Sequence, residues 1–205
     1  MPTPARLNKI KKVLSHRQPD LTLVLENIHD PHNVSAILRS ADAVGVLEIC
    51  LVYNDEVFPK LGRQSSASAK KWLLYQKFKT IDQCYSYLRD RKFKIYATHL
   101  DNQAKSLYQI DLTKKVALVL GNEHRGVSKE ALEKADGNLQ IPQYGMVQSL
   151  NVSVAAAVIL FEALRQREKA GYYQEQRLNS KTHKEVLSQW TKKKDIKDSK
   201  DVKEL

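Results

Sequence analysis

Short aliphatic runs recur along this chain, and between them the apolar residues return every three or four positions. Residues 21–25, 48–53, 94–99, 116–120 and 139–141 read as strands, and 33–44, 65–71, 80–91, 128–136 and 150–167 as helices. The clearest case is Val34, Ile37, Leu38, Ala41 and Val44, one face of a helix that stops at Gly45. Strands separated by a helix do not pair as tight hairpins. A helical crossover instead returns the chain to the same sheet and sets its strands parallel. The pattern predicts the α/β class, a mostly parallel sheet with helices on both faces.

Ahead of the first strand, residues 3–15 place Leu7, Ile10, Val13 and Leu14 at helical spacing among Arg6, Lys9, Lys11 and Lys12, a basic amphipathic helix that Pro19 and Asp20 end. Beyond residue 168 lies a charged, helix-forming tail, whose end at 192–205 is dominated by Lys and Asp and is expected to bury little and be disordered. The expected organisation is a basic helical arm at 1–19, one domain at 20–168, and a basic tail at 169–205, partly helical or disordered.

At 205 residues the chain can bury one sizeable core but not two full domains. Its longest apolar run, 154–161, falls far short of the roughly 18 residues that cross a bilayer, and no apolar signal stretch opens the chain. No membrane is expected, and the cytoplasm is the expected location. Cys50 and Cys84 stand 34 residues apart with no CxxC and no ligand cluster, so no disulfide framework and no metal site can be read. No two of the seven glycines are two positions apart, which removes GxGxxG and disfavours a Rossmann nucleotide binder. Gly121 and Gly126 have P-loop spacing, but Val127 and Ser128 follow where the phosphate-binding Lys must stand.

Charge is unevenly placed. Of the formal +11, residues 1–19 carry five basic and no acidic residues, 161–205 carry twelve against eight, and the stretch between carries seventeen against fifteen. A near-neutral core with basic arms suits a polyanion, and nucleic acid fits better than lipid because neither arm joins its charge to a strong apolar face.

Three segments, 33–39, 121–126 and 141–151, hold polar residues that an α/β core does not by itself demand, and each follows a predicted strand, where ligands of open sheets bind. Singly, each has an ordinary role: Asn33 as a helix N-cap, Arg39 as a partner of Asp42, Glu123 compensating a helix dipole. Taken together and in order, NVSAILRSADAVG (33–45), LVLGNEHRGVS (118–128) and IPQYGMVQSLNVSVAAAVILFEALRQR (141–167) resemble the three motifs of the SpoU/TrmH family of SPOUT-class RNA ribose 2′-O-methyltransferases. The resemblance covers roughly residues 20–168. Within the family, residues 17–37 and 145–155 look most like the branch acting on guanosine-18 of the tRNA D-loop. Ribosomal relatives usually carry a separate N-terminal RNA-binding domain, whereas here only about twenty residues precede the first strand.

The resemblance implies a deep C-terminal trefoil knot that holds S-adenosyl-L-methionine, a homodimer whose active site draws on both subunits, and tRNA as partner. It nominates Arg39, Asn33, Glu123, Ser149 and Asn151 as catalytic, and Thr98, Gly121, Ile141, Met146 and Leu150 as cofactor-binding. Gly121 and Gly145 allow close backbone approach, and Ile141, Met146 and Leu150 offer apolar walls to an adenine. Moving a methyl from a sulfonium to a poorly acidic 2′-OH requires orienting both partners and handling a proton. Arg39, whose guanidinium stays protonated, is expected to grip the target phosphate and stabilise the developing oxyanion while the phosphate or a water takes the proton. Asn33 would position the ribose, Ser149 and Asn151 would hold substrate or cofactor or cap the long helix, and Glu123 would buttress the knot loops or Asn33. RNA phosphates are expected on Arg6, Lys9, Lys11, Lys12 and Arg17, and on Arg165, Arg167 and Arg177. A ribosomal ribose, the tRNA wobble nucleotide, or a noncatalytic RNA-binding module remain the alternatives.

Overall fold

In the computed structural model, which describes residues 2–59, 69–101 and 103–192, the strands are β1 Leu21–Glu26, β2 Glu48–Val52, β3 Leu74–Phe78, β4 Lys94–Thr98, β5 Lys105–Ser106, β6 Val116–Leu120 and β7 Gly137–Gln140. They form one sheet, β3-β2-β1-β6-β4-β7-β5, in which every described pairing is parallel. The helices are α1 Pro4–Ser15, α2 Pro31–Ala43, α3 Ile81–Asp90, α4 Lys129–Lys134, α5 Val152–Lys169 and α6 Ser180–Thr191. The expected α/β architecture is present.

Alternation along the central strands explains why both faces are covered. Leu21, Leu23 and Leu25 of β1, with Val116, Leu118 and Leu120 of β6, pack on one side against Val34, Ile37, Leu38 and Ala41 of α2 and Ile159, Leu160 and Ala163 of α5. Val24, Ala117 and Val119 point the other way, onto Ile81, Cys84, Tyr85 and Leu88 of α3 and Ala131 of α4. Each such Val, Leu or Ile contributes about 1.5–3 kcal/mol on leaving water. Cys50 and Cys84 lie buried in this second layer as free thiols, as packed residues should.

Two strands escape a sequence reading. β3 is an edge strand whose LYQKF is mostly half-buried, so no apolar run marks it, and β5 is two residues long. The helix expected at 65–71 falls largely outside the described residues; 69–72 form one 3-10 turn. Residues 193–205, most of the segment expected to be disordered, also lie outside them. α1 and α6 pack together, Ile10 and Leu14 meeting Leu178, Val186 and Trp190 beside Leu47.

Candidate active site

The carboxyl ends of β4, β6 and β7 and the start of α5 enclose a cavity of about 390 Å³, the position where open parallel sheets bind ligands. Thr98, Gly121, Ile141 and Leu150, all expected as cofactor contacts, line it, and Glu123, Ser149 and Asn151 share its wall. Met146 does not. Its side chain is 100% exposed on the loop that leads to α5, so it provides no wall in this chain. Gly121 has the role expected of it: a Cβ there would lie 2.2 Å from the backbone of Gly126 and Val127. Gly145 does not, since a Cβ there meets nothing within 4 Å.

Around the cavity mouth runs a chain of side-chain hydrogen bonds. Glu123 Oε1 accepts from Asn33 Nδ2 (2.9 Å) and from the backbone N–H of Asp30 (3.0 Å), while Oε2 accepts from the N–H of His29 (2.9 Å). Asn33 Oδ1 accepts in turn from Asn151 Nδ2 (3.0 Å), and Asn151 Oδ1 accepts from Ser153 N–H (2.8 Å), capping α5. Burial raises the Glu123 carboxyl, but its donors, Asn33 first among them, outweigh that and hold it below the ordinary carboxylate value. An ionised Glu123 therefore fixes the Asn33 amide, which in turn orients Asn151. The contact expected between Glu123 and Asn33 is present. α2 is capped by Asp30 rather than by Asn33, because Asp30 Oδ1 accepts from His32 N–H (2.8 Å).

The SpoU rRNA Methylase family matches residues 20–161, well over half of the sequence. The chain belongs to that family. It is 49% identical to the tRNA (guanosine(18)-2'-O)-methyltransferase of Thermus thermophilus over 191 residues, 93% of this chain and 98% of that protein. The crystal structure of the Aquifex aeolicus TrmH/SpoU tRNA modifying enzyme superposes with a TM-score of 0.86 at 39% identity, covering 91% of this chain and 94% of that one. The SpoU methyltransferase AviRb of Streptomyces viridochromogenes, solved in complex with the cofactor AdoMet, superposes at 0.64 with 25% identity over 74% of this chain and 62% of that one.

Two SpoU-motif residues that sequence reasoning passed over also shape the site. Asn122 donates to the Asn27 carbonyl (2.8 Å), tying the β6 loop to the end of β1, where Asn27 itself takes φ 50°. Gln143 lines the cavity with Oε1 buried and unpartnered among the described residues. The only sequence signal for either is its place inside a quoted motif.

The expected RNA-binding arginines divide by burial. Arg6, Lys9, Lys11 and Lys12 are exposed on α1, and Arg165 is exposed beside Glu162. Arg17 and Arg167 are fully buried, which corrects the expectation that they meet phosphates. Arg17 donates to Asp42 and to the carbonyls of Val46 (2.7 Å) and Trp72 (3.1 Å) and lies over Trp190; Arg167 donates to Asp20 and to the carbonyls of Leu112 (2.9 Å) and Lys114 (2.8 Å). Both fasten the terminal segments to the sheet. Arg177 pairs with Asp20 over Tyr172, half-buried. Arg39 is exposed on α2 and does not line this chain's cavity; Asp42, its expected partner, is taken by Arg17.

Proposed function

We propose that this chain transfers a methyl group from S-adenosyl-L-methionine to the ribose 2′-OH of guanosine-18 in tRNA. The observation that carries it is the Glu123–Asn33–Asn151 chain of hydrogen bonds on the rim of a cavity of cofactor size, in a sequence 49% identical along almost its whole length to a guanosine-18 enzyme.

The cavity suits the cofactor. Ile141, Leu150 and Val152 offer apolar surface to a base, and the buried, unpartnered Gln143 Oε1 offers an acceptor to an amino group or hydroxyl. The cofactor supplies an electrophilic methyl on a sulfonium. The protein's own work is placement: Asn33, its rotamer set from both ends by Glu123 and Asn151, presents a fixed amide to the ribose, and the start of α5 adds partial positive charge beside it. The trefoil knot that the family resemblance implies is assigned to the C-terminal segments whose loops enclose this cavity.

The site is completed by a second copy of the chain. Tyr144, Met146 and Val147 on the loop before α5, and Val154 and Phe161 along it, are exposed large apolar residues that a self-complementary dimer would cover. Arg39 then enters the partner's cavity, where its guanidinium holds the target phosphate and stabilises the developing oxyanion. α1 supplies Arg6, Lys9, Lys11 and Lys12 to the RNA backbone, in the cytoplasm where tRNA matures. Co-expression of Arg39→Ala and Glu123→Ala chains tests the assignment on an unmodified tRNA transcript. Each variant alone is inactive, and mixed dimers regain part of the wild-type methyl transfer; mixtures as inactive as the single variants would refute a shared site.

A further inference from the structure

Arg125 belongs to the loop that builds the cavity, yet its side chain leaves it. The loop backbone is fixed, since Asn122 Oδ1 accepts from the N–H of His124 (2.9 Å) and of Arg125 (3.2 Å). From there the side chain crosses to the segment after β2, where Nη2 lies 3.3 Å from Glu56 Oε1 and Nη1 3.8 Å from Asp55 Oδ2. That acidic segment is itself pinned: Asn27 Oδ1 accepts from the backbone N–H groups of Asn54, Asp55 and Glu56. Glu56 Oε2 lies 3.1 Å from His29 Nδ1, so Glu56 keeps a second neighbour when Arg125 leaves.

Arg125 is thus the exposed, loosely held cationic partner of two acids whose backbone is fixed. Its side chain is 56% exposed, and both contacts exceed the 2.7–2.9 Å usual between guanidinium and carboxylate. Exposed pairs of this kind exchange readily, and a phosphate presents the same fork-matching oxygens with more charge. We propose that Arg125 is a phosphate-binding arm for the RNA backbone beside the target nucleotide, parked on Asp55 and Glu56 until RNA displaces them. The inference rests on the RNA 2′-O-methyltransferase reading above. It gives the two acids a function in selection: they repel RNA that does not seat, and release the arm only to a phosphate brought to the cavity mouth.

The test measures affinity for an unmodified tRNA transcript against salt, and for S-adenosyl-L-methionine alone, in the full-length protein. Arg125→Ala weakens tRNA binding about fivefold to tenfold and lowers the salt slope by about one, with cofactor affinity unchanged. Asp55→Asn combined with Glu56→Gln tightens tRNA binding, and most of that gain disappears when Arg125→Ala is added. An equal gain in both backgrounds would mean a general charge effect and overturn the inference. So would a loss of cofactor affinity matching the loss for tRNA, which would assign Arg125 to the cofactor's carboxylate. Methyl transfer by the wild-type protein to the same transcript separates the two levels: wild-type transfer with tRNA affinity and salt slope unchanged by Arg125→Ala defeats only the arm, whereas no wild-type transfer defeats the reading beneath it.

Discussion

Replacing Asn151 by Asp separates capping from catalysis. Asn151 performs two tasks with one amide: Oδ1 accepts from Ser153 N–H (2.8 Å) and Val154 N–H (3.4 Å), and Nδ2 donates to Asn33 Oδ1 (3.0 Å). An Asp side chain keeps the cap and adds a favourable charge at the helix N-terminus, worth roughly 0.3–1 kcal/mol. It has no donor for Asn33. If Asn33 keeps its orientation, two oxygens oppose each other; if it turns, its Nδ2 deserts Glu123. Either way one hydrogen bond is forfeited and an Asn33 oxygen is left facing a carboxylate, on the order of 1.5–3 kcal/mol, which is roughly a 10- to 150-fold fall in kcat if the amide acts in the transition state. Thermal unfolding should move by no more than a few degrees, because the cap survives. Asn151→Ala, by contrast, forfeits both tasks and costs about 1 kcal/mol of stability as well. The assay is turnover at saturating cofactor and tRNA transcript, beside melting of the same samples. Wild-type turnover in Asn151→Asp would refute the reasoning, as would a turnover loss no larger than the loss of folded protein.

Other perturbations separate the remaining roles. Gly121→Ala drives a methyl into the backbone of Gly126 and Val127 at 2.2 Å, so cofactor binding, read by calorimetry, should be lost, whereas Gly126→Ala has free space and bears only the roughly 1 kcal/mol strain of φ +69°, keeping the cavity. Arg17→Met leaves Asp42 and two carbonyls without their buried donor and should destabilise by about 3–5 kcal/mol in urea unfolding, while tRNA affinity at low temperature stays unchanged; lost affinity with intact stability would restore Arg17 as a phosphate contact. The Glu123 carboxyl lies below its ordinary value in the fold, so its contribution is fully present above about pH 4.3 and declines as pH falls toward the lowered native value. The stability difference between wild type and Glu123→Gln should therefore be flat from about pH 6 to 8 and shrink in acid; a difference that already shrinks between pH 8 and 6 would assign it to another group.

What the sequence disclosed follows the physics of burial. β1 and β6 lie at the centre of the sheet, buried on both faces, so LTLVLE and VALVL announce themselves; β3, half-exposed at the edge, carries Gln76 and Lys77 where an aliphatic run would be needed. The site was legible as three motifs, and a Glu123–Asn33 contact could be anticipated, yet the link from Asn33 to Asn151 joins residues 118 apart and has no local signature. Charge counting misread Arg17 and Arg167, because a buried guanidinium and a phosphate-binding one look alike until Asp42 and Asp20 are brought beside them by the fold. Met146, expected as an apolar wall for the adenine, is exposed in the single chain and does not line its cavity, a placement that apolar character alone does not specify.

The most direct measurement is transfer of labelled methyl from S-adenosyl-L-methionine to two tRNA transcripts, one with guanosine at position 18 and one with that nucleotide replaced, followed by nuclease mapping of the label. Label on the ribose of guanosine-18 alone, abolished by Arg39→Ala, is the predicted result. Label elsewhere in the tRNA, equal label on both transcripts, or label only on ribosomal RNA would contradict the assignment of substrate while leaving the fold and its cavity as described.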